Sequence, residues 1–165
     1  MSKTLNPPPG GSEALMSRVI ELSRKSMNSL NGGPFAALVA RGSEIISEGT
    51  NSVTLGNDPT AHAEIVAIRH ACEALKTFQL SGCDIYSSCE PCPMCLGAIY
   101  WARPRAVYFA SDRADAARAG FDDAFIYDQL PVAPEKRSIP MVQMMQEAGA
   151  KVLVEWKAKP DKVRY

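Results

Sequence analysis

Two short segments of the chain carry side chains that could bind a transition metal. His62-Ala63-Glu64 places an imidazole two residues before a carboxylate, and Cys92-Pro93-Met94-Cys95 places two thiols one helical turn apart. A catalytic zinc ion typically has three protein ligands and one open position for water. His62, Cys92 and Cys95 would supply those ligands, and two thiolates with one neutral imidazole cancel the formal charge of the ion. The spacing therefore predicts one Zn²⁺ held at an open, catalytic type of centre.

Glu64 is predicted to act as a general acid and base beside that metal. At two residues from His62 it cannot share the direction of the histidine on a helix, so it can face the bound water and a substrate. A Cys-x-x-Cys pair alone could be a redox pair, half of a structural zinc site or ordinary core. The combination His-x-Glu and Pro-Cys-x-x-Cys is the signature of zinc-dependent nucleobase deaminases, in which water replaces a ring amine and ammonia leaves.

Both metal-binding segments are predicted to lie at helix starts. Pro93 is tolerated in the first turn of a helix over residues 93–102. A second helix over residues 60–75 has His62 in its first turn. The positive ends of two helix dipoles would converge on the metal and favour the thiolate form of the cysteines.

The remaining elements follow from apolar periodicity and turn residues. Ser12 can cap a helix that ends near residue 30, and short helices and turns are expected over residues 111–129. A last strand at 139–145 and a helix near 146–159 are expected at the C-terminal end. Strands are predicted at 35–41, 44–50, 84–88 and 105–110. Strands that alternate with helices predict an α/β fold, a three-layer α-β-α sandwich.

Length and composition indicate one ordinary globular domain. The chain has 165 residues, and the proline- and glycine-rich residues 1–11 predict a flexible N-terminal arm before a single domain over 12–165. The chain has 18 basic residues (Lys and Arg) and 18 acidic residues (Asp and Glu). This balance of charge does not favour a nucleic-acid partner. Five cysteines without a secretory signal or a membrane-spanning stretch place the protein in the reducing cytoplasm.

Four stretches resemble bacterial guanine deaminases of the cytidine deaminase superfamily. They are GGPF at 32–35, NDPTAHAE at 57–64, SCEPCPMCLGAIYWARP at 88–104 and GFDD at 120–123. The resemblance extends from about residue 32 to the C-terminus. It implies a five-stranded mixed sheet between helices and a homodimer, whose C-terminal segments are exchanged between subunits in some members. It also implies zinc-dependent hydrolysis of guanine to xanthine and ammonia.

The same resemblance implies roles for five further residues by their matching positions. Asn51 would hydrogen-bond the purine, and Phe35 and Trp101 would form walls of the pocket. Asp123 would help to move a proton to the leaving amine, and Tyr165 would close the pocket over the substrate.

Three other functions stay open at this point. A related branch, also ending in tyrosine, deaminates guanosine. The tRNA adenosine deaminases share His-Ala-Glu and Pro-Cys-x-x-Cys but would normally carry a basic surface to hold RNA. A non-catalytic zinc-stabilised module would need a fourth protein ligand and would leave Glu64 without a purpose.

Overall fold

The computed structural model of the chain describes residues 11–29, 32–121 and 123–164. The chain forms two compact units, of which the first ends at Ala124 and the second begins at Phe125. Among the described residues, no helix has the length and apolar character needed to cross a membrane. The predicted arm at 1–11 lies almost wholly outside the described residues, and the single domain over 12–165 stays a prediction.

A four-stranded mixed sheet forms the centre of the first unit. Its spatial order is β2-β1-β3-β4, with β1 antiparallel to both neighbours and β3 parallel to β4. Gly42, at φ +61°, makes the tight turn between β1 and β2. The strands are Ala36–Arg41 (β1), Glu44–Thr50 (β2), Asp84–Cys89 (β3) and Ala106–Ser111 (β4).

Helices cover both faces of this sheet because the side chains of the central strands alternate between two apolar clusters. On one face Leu15 and Val19 of helix α1, Glu13–Asn28, pack with Leu38 of β1. As predicted, Ser12 caps this helix, and its hydroxyl accepts a hydrogen bond from the backbone of Leu15 at 3.3 Å. The predicted layered α/β arrangement is therefore present in the first unit.

The opposite face of the sheet carries the two helices that matter for the metal. Helix α3, Ala63–Leu75, and helix α4, Pro93–Ala102, contribute to a cluster around Val39 and Ile85. A single helical turn, α2 at Val53–Gly56, lies between β2 and α3.

The close approach of α3 to β2 depends on Gly49. A Cβ at this position would lie 2.6 Å from the backbone nitrogen of Ala67 and would also collide with the carbonyl oxygen of Ala63. Real Cβ atoms do not approach backbone atoms so closely, so only glycine lets the helix pack at this distance.

The predictions of a five-stranded sheet and of a strand at residues 139–145 are both wrong for the described part of the chain. The stretch is irregular and every one of its residues is exposed. Pro140 interrupts it, and a proline has no N–H group to donate to a sheet ladder. The predicted C-terminal helix is present as α7, Gln146–Ala158. The helices between β4 and α7 are α5, Arg113–Arg118, and α6, Ala124–Gln129, followed by a 3-10 turn at Pro134–Lys136.

Candidate active site

Two helix N-termini bring the predicted metal ligands together. His62 is the residue immediately before α3, and Cys92 is the residue immediately before α4. Cys95 follows one turn later on α4 and is fully buried. The Sγ atoms of Cys92 and Cys95 each lie 3.5 Å from Nδ1 of His62, and all three ligand atoms lie within 4.8 Å of one another. The structure thus confirms the grouping that the spacing predicts.

The donor set and its spacing fit zinc. Zinc binds imidazole nitrogen and thiolate sulfur at about 2.0–2.3 Å, which places tetrahedral ligand atoms about 3.5 Å apart. The observed nitrogen–sulfur distances of 3.5 Å agree with that value. Among the described residues the group contains His62, Cys92 and Cys95 and no fourth side chain. This is the ligand count of a catalytic centre, not of a closed structural one.

The two thiols and the imidazole of this group perturb one another's pKa values. A hydrogen bond from Cys95 lowers the pKa of Cys92 to about 4. The same interaction with Cys92 raises the pKa of Cys95. A hydrogen bond with the Cys92 thiolate also raises the pKa of His62. Without metal the three groups therefore share protons, and a cation that binds them displaces those protons.

Glu64 lies in the first turn of α3 and is 7% exposed. Its Oε1 accepts a hydrogen bond from the Ser87 hydroxyl at 2.8 Å, and its Oε2 lies 3.5 Å from Sγ of Cys95. Burial raises the pKa of Glu64. A carboxyl group with a raised pKa can take up and release a proton nearer neutral pH, as a general acid and base must.

A pocket of about 410 Å³ opens beside this group. That volume lies in the range of small-molecule sites. Phe35, Asn51 and Asp123, to which the resemblance gives roles toward the substrate, all line it. Trp101 is not among the described lining residues, and its side chain is 64% exposed on α4. The predicted role of Tyr165 lies outside the described residues.

Three residues of the pocket wall have well-defined contacts. The rings of Phe35 and Phe121 meet edge to face with centroids 4.7 Å apart, so they form one apolar wall. Oδ1 of Asn51 accepts hydrogen bonds from the backbone N–H groups of Val53 at 3.3 Å and Gly33 at 3.5 Å. Since its oxygen is held by the backbone, Asn51 has only its Nδ2 donors to offer a ligand.

Four residues of the site were not predicted from the sequence, and Phe121 of the apolar wall is one of them. Cys89 and Glu90 line the pocket but were given no role, although both stand beside the Pro-Cys-x-x-Cys segment. Ser87, the hydrogen-bond partner of Glu64, was missed completely. Its neighbours in the sequence carry no signal of this contact, because it forms between β3 and α3 only in the folded chain.

The fold and the site together define a zinc-dependent deaminase. The chain belongs to the family described as the cytidine and deoxycytidylate deaminase zinc-binding region, whose model matches residues 11–111. Those residues contain the whole sheet and all three metal ligands.

Several relatives resemble the chain over different lengths. Guanine deaminase from Bacillus subtilis (strain 168) is 48% identical over 153 residues, which cover 93% of this chain and 98% of the relative. The tRNA-specific adenosine deaminase from Aquifex aeolicus is 45% identical, but over only 47% of this chain and 52% of the relative.

Solved structures of two guanine deaminases also match the chain. The X-ray structure of Bacillus subtilis guanine deaminase matches with a TM-score of 0.91 at 47% identity, over 94% of this chain and 99% of that one. The structure of guanine deaminase from Nitrosomonas europaea matches with a TM-score of 0.65 at 32% identity, over 94% of this chain and 90% of that one.

Proposed function

We propose that this protein hydrolyses guanine to xanthine and ammonia. The observation that carries the proposal is the likeness to Bacillus subtilis guanine deaminase, which covers 93% of the chain. The buried Glu64 beside the metal-binding group, in the wall of a pocket of small-molecule size, supports it. The likeness to a tRNA-specific adenosine deaminase covers 47% of the chain and supports only the shared zinc chemistry.

The reaction replaces the exocyclic C–N bond of guanine with a C–O bond. Zinc held by His62, Cys92 and Cys95 would supply a water molecule that ionises near neutral pH. Glu64 would accept a proton from the attacking water while the water oxygen bonds to the ring carbon that bears the amine. Glu64 then returns the proton to the adjacent ring nitrogen. A further proton transfer releases the amine as ammonia, and the carbon keeps a carbonyl group.

The other pocket residues would bind and orient the purine. The Phe35 and Phe121 wall offers an apolar surface to a flat aromatic ring. The Nδ2 donors of Asn51 would meet an acceptor on the base. Asp123, which lines the same pocket as Glu64, would assist the proton transfer to the leaving amine.

A homodimer with exchanged C-terminal segments is part of the proposal. No residue of α7 is buried, although the helix carries Val152, Leu153 and Val154. The irregular segment before it exposes Met141, Val142, Met144 and Met145. Monomeric proteins rarely expose large apolar patches to water, and the exposure of these side chains therefore favours a covering partner. A second copy of the chain would cover these residues, and Tyr165 would close a pocket in that assembly.

The predicted role of Trp101 as a pocket wall depends on the proposed dimer. Trp101 lies outside the pocket lining of its own chain, so a role as a pocket wall would require the dimer.

We place the protein in the cytoplasm because two of the three metal ligands are cysteines, which must be thiolates to bind zinc. A reducing compartment preserves them.

Ammonia release by the purified, zinc-loaded protein tests the proposal. Guanine, guanosine, cytosine, cytidine and adenine are assayed in parallel, with xanthine measured by chromatography. Release from guanine with formation of xanthine is expected. Turnover of guanosine in preference to guanine would move the protein to the nucleoside deaminases. Turnover of none of these compounds would contradict the proposal and would direct the test to a tRNA substrate.

A further inference from the structure

A buried serine on β3 holds one oxygen of the Glu64 carboxylate. Ser87 is 2% exposed, and its hydroxyl donates to Oε1 of Glu64 at 2.8 Å. The same hydroxyl accepts a hydrogen bond from the backbone N–H of Cys89 at 3.4 Å. Because the Ser87 oxygen accepts from a fixed donor on its own strand, its proton points away from that donor and toward the carboxylate.

The serine itself is held firmly. Ser87 pairs with Ala37 of β1 on one side and with Phe109 of β4 on the other, so its backbone lies inside the sheet. Glu64 lies in the first turn of α3. The hydrogen bond therefore fixes the carboxylate relative to the sheet as well as to its own helix.

We propose that Ser87 is a positioning residue for the reaction, which holds Oε1 of Glu64 so that Oε2 carries the proton between water and the purine ring. Oε2 is the oxygen nearer the metal-binding group, at 3.5 Å from Sγ of Cys95. The inference rests on the proposed deamination.

Elementary geometry explains why such an anchor matters. The terminal torsion of a glutamate side chain is broad and nearly two-fold, so an unanchored carboxylate samples many orientations. A proton carrier works well only when its reacting oxygen stays in line with donor and acceptor. A single hydrogen bond to one oxygen removes that freedom and leaves the other oxygen available.

The neighbouring serine provides a matched control. Ser88 lies on the same strand and is 8% exposed, but its side chain points to the opposite face of the sheet. Its hydroxyl accepts a hydrogen bond from the backbone N–H of Ala36 at 3.0 Å. Replacement of Ser88 by alanine therefore removes a buried hydroxyl without removing a contact to Glu64.

The test compares full-length, zinc-loaded Ser87→Ala, Ser87→Thr, Ser87→Cys and Ser88→Ala variants with the wild type. Ser87→Ala should lower kcat by about tenfold to a hundredfold, the value of a hydrogen bond to a charged group. KM and zinc content should stay unchanged. Binding of hypoxanthine, a purine without the reacting amine, should also be unchanged by calorimetry. Threonine keeps the hydroxyl and should restore most of kcat, whereas cysteine, a weak donor, should give an intermediate value.

Ser88→Ala should lower the thermal midpoint but keep kcat. Unchanged kcat in Ser87→Ala would overturn the proposal, whatever its stability. Equal losses of kcat in Ser87→Ala and Ser88→Ala would also overturn it, because strand packing would then explain both. If Ser87→Ala does not fold, equal kcat in the threonine and cysteine variants would overturn it instead. A failure of the proposed function is distinguishable, since the wild type itself would then release no ammonia from guanine.

Discussion

Glu64 has the surroundings of a proton carrier and not of a metal ligand. Its Oε1 accepts a hydrogen bond from Ser87, its Oε2 lies 3.5 Å from Sγ of Cys95, and the metal-binding group does not include it. We expect Glu64→Gln to keep its zinc and to lower kcat on guanine by at least about a hundredfold, since general acid–base catalysis contributes that much or more. Steady-state ammonia release and elemental analysis on the same sample check this. Normal turnover would remove Glu64 from the mechanism.

Cys92 is expected to be necessary for the metal. Cys92→Ser should lower the zinc content from near one ion per chain to a small fraction, because a neutral hydroxyl replaces a thiolate ligand. Cys72→Ala serves as control, because Cys72 is a half-buried free thiol on α3 that does not belong to the metal-binding group. Zinc is measured by elemental analysis after gel filtration. Retention of zinc by Cys92→Ser would contradict the ligand assignment.

At the scale of single residues, the sequence predicts contacts between residues that lie at a fixed spacing from a helix start. His62, Cys92 and Cys95 lie at set positions relative to two helix starts, so their meeting could be predicted from the chain. The contact between Ser87 and Glu64 joins residues 23 positions apart. It depends on how α3 packs on the sheet, and no local pattern encodes that distance.

At the scale of elements, the position of the site depends on how closely α3 packs against β2. Gly49→Ala introduces a Cβ that would lie 2.6 Å from the backbone of Ala67. The helix must move, and overpacking of this kind costs about 1–3 kcal/mol of the free energy of unfolding. Because His62 and Glu64 lie at the start of the same helix, zinc affinity should fall as well.

Thermal unfolding and zinc titration measure the two effects of this substitution. Gly56→Ala is the matched control, since a Cβ there would meet only Cβ of Asp58, at 3.9 Å. It should leave zinc affinity unchanged. Wild-type stability and zinc affinity in Gly49→Ala would show that the packing of α3 tolerates the added group and does not position the ligands.

Sequence patterns predicted the sheet of the first unit better than the second unit for a physical reason. The strand β1 is buried over residues 36–40 and carries a continuous apolar run there, as strands buried on both faces commonly do. The strand β3 is also buried throughout, although it includes Asp84 and two serines. The apolar run at 139–145 resembles a strand by composition, but it contains Pro140 and is exposed throughout. Apolar composition alone does not separate a strand from an irregular, exposed segment.

At the scale of the whole molecule, the proposed exchange of C-terminal segments can be tested with mixed dimers, in which two differently defective chains are combined. If the segment of one subunit closes the pocket of the other, a site needs Glu64 from one chain and Tyr165 from its partner. A Glu64→Gln chain with an intact C-terminus and a chain that lacks residues 163–165 should each be nearly inactive alone. The truncation should damage turnover more than stability, since Val163 is 69% exposed.

Co-expression of the two defective chains, followed by purification of the mixed dimer through different affinity tags, should restore ammonia release from guanine. One of the two sites in that dimer then combines an intact Glu64 with an intact C-terminal segment. The restored rate should exceed the sum of the rates of the two parent proteins. If each segment instead acts on its own subunit, both sites of the mixed dimer stay defective and no activity returns, which would rule out the exchange.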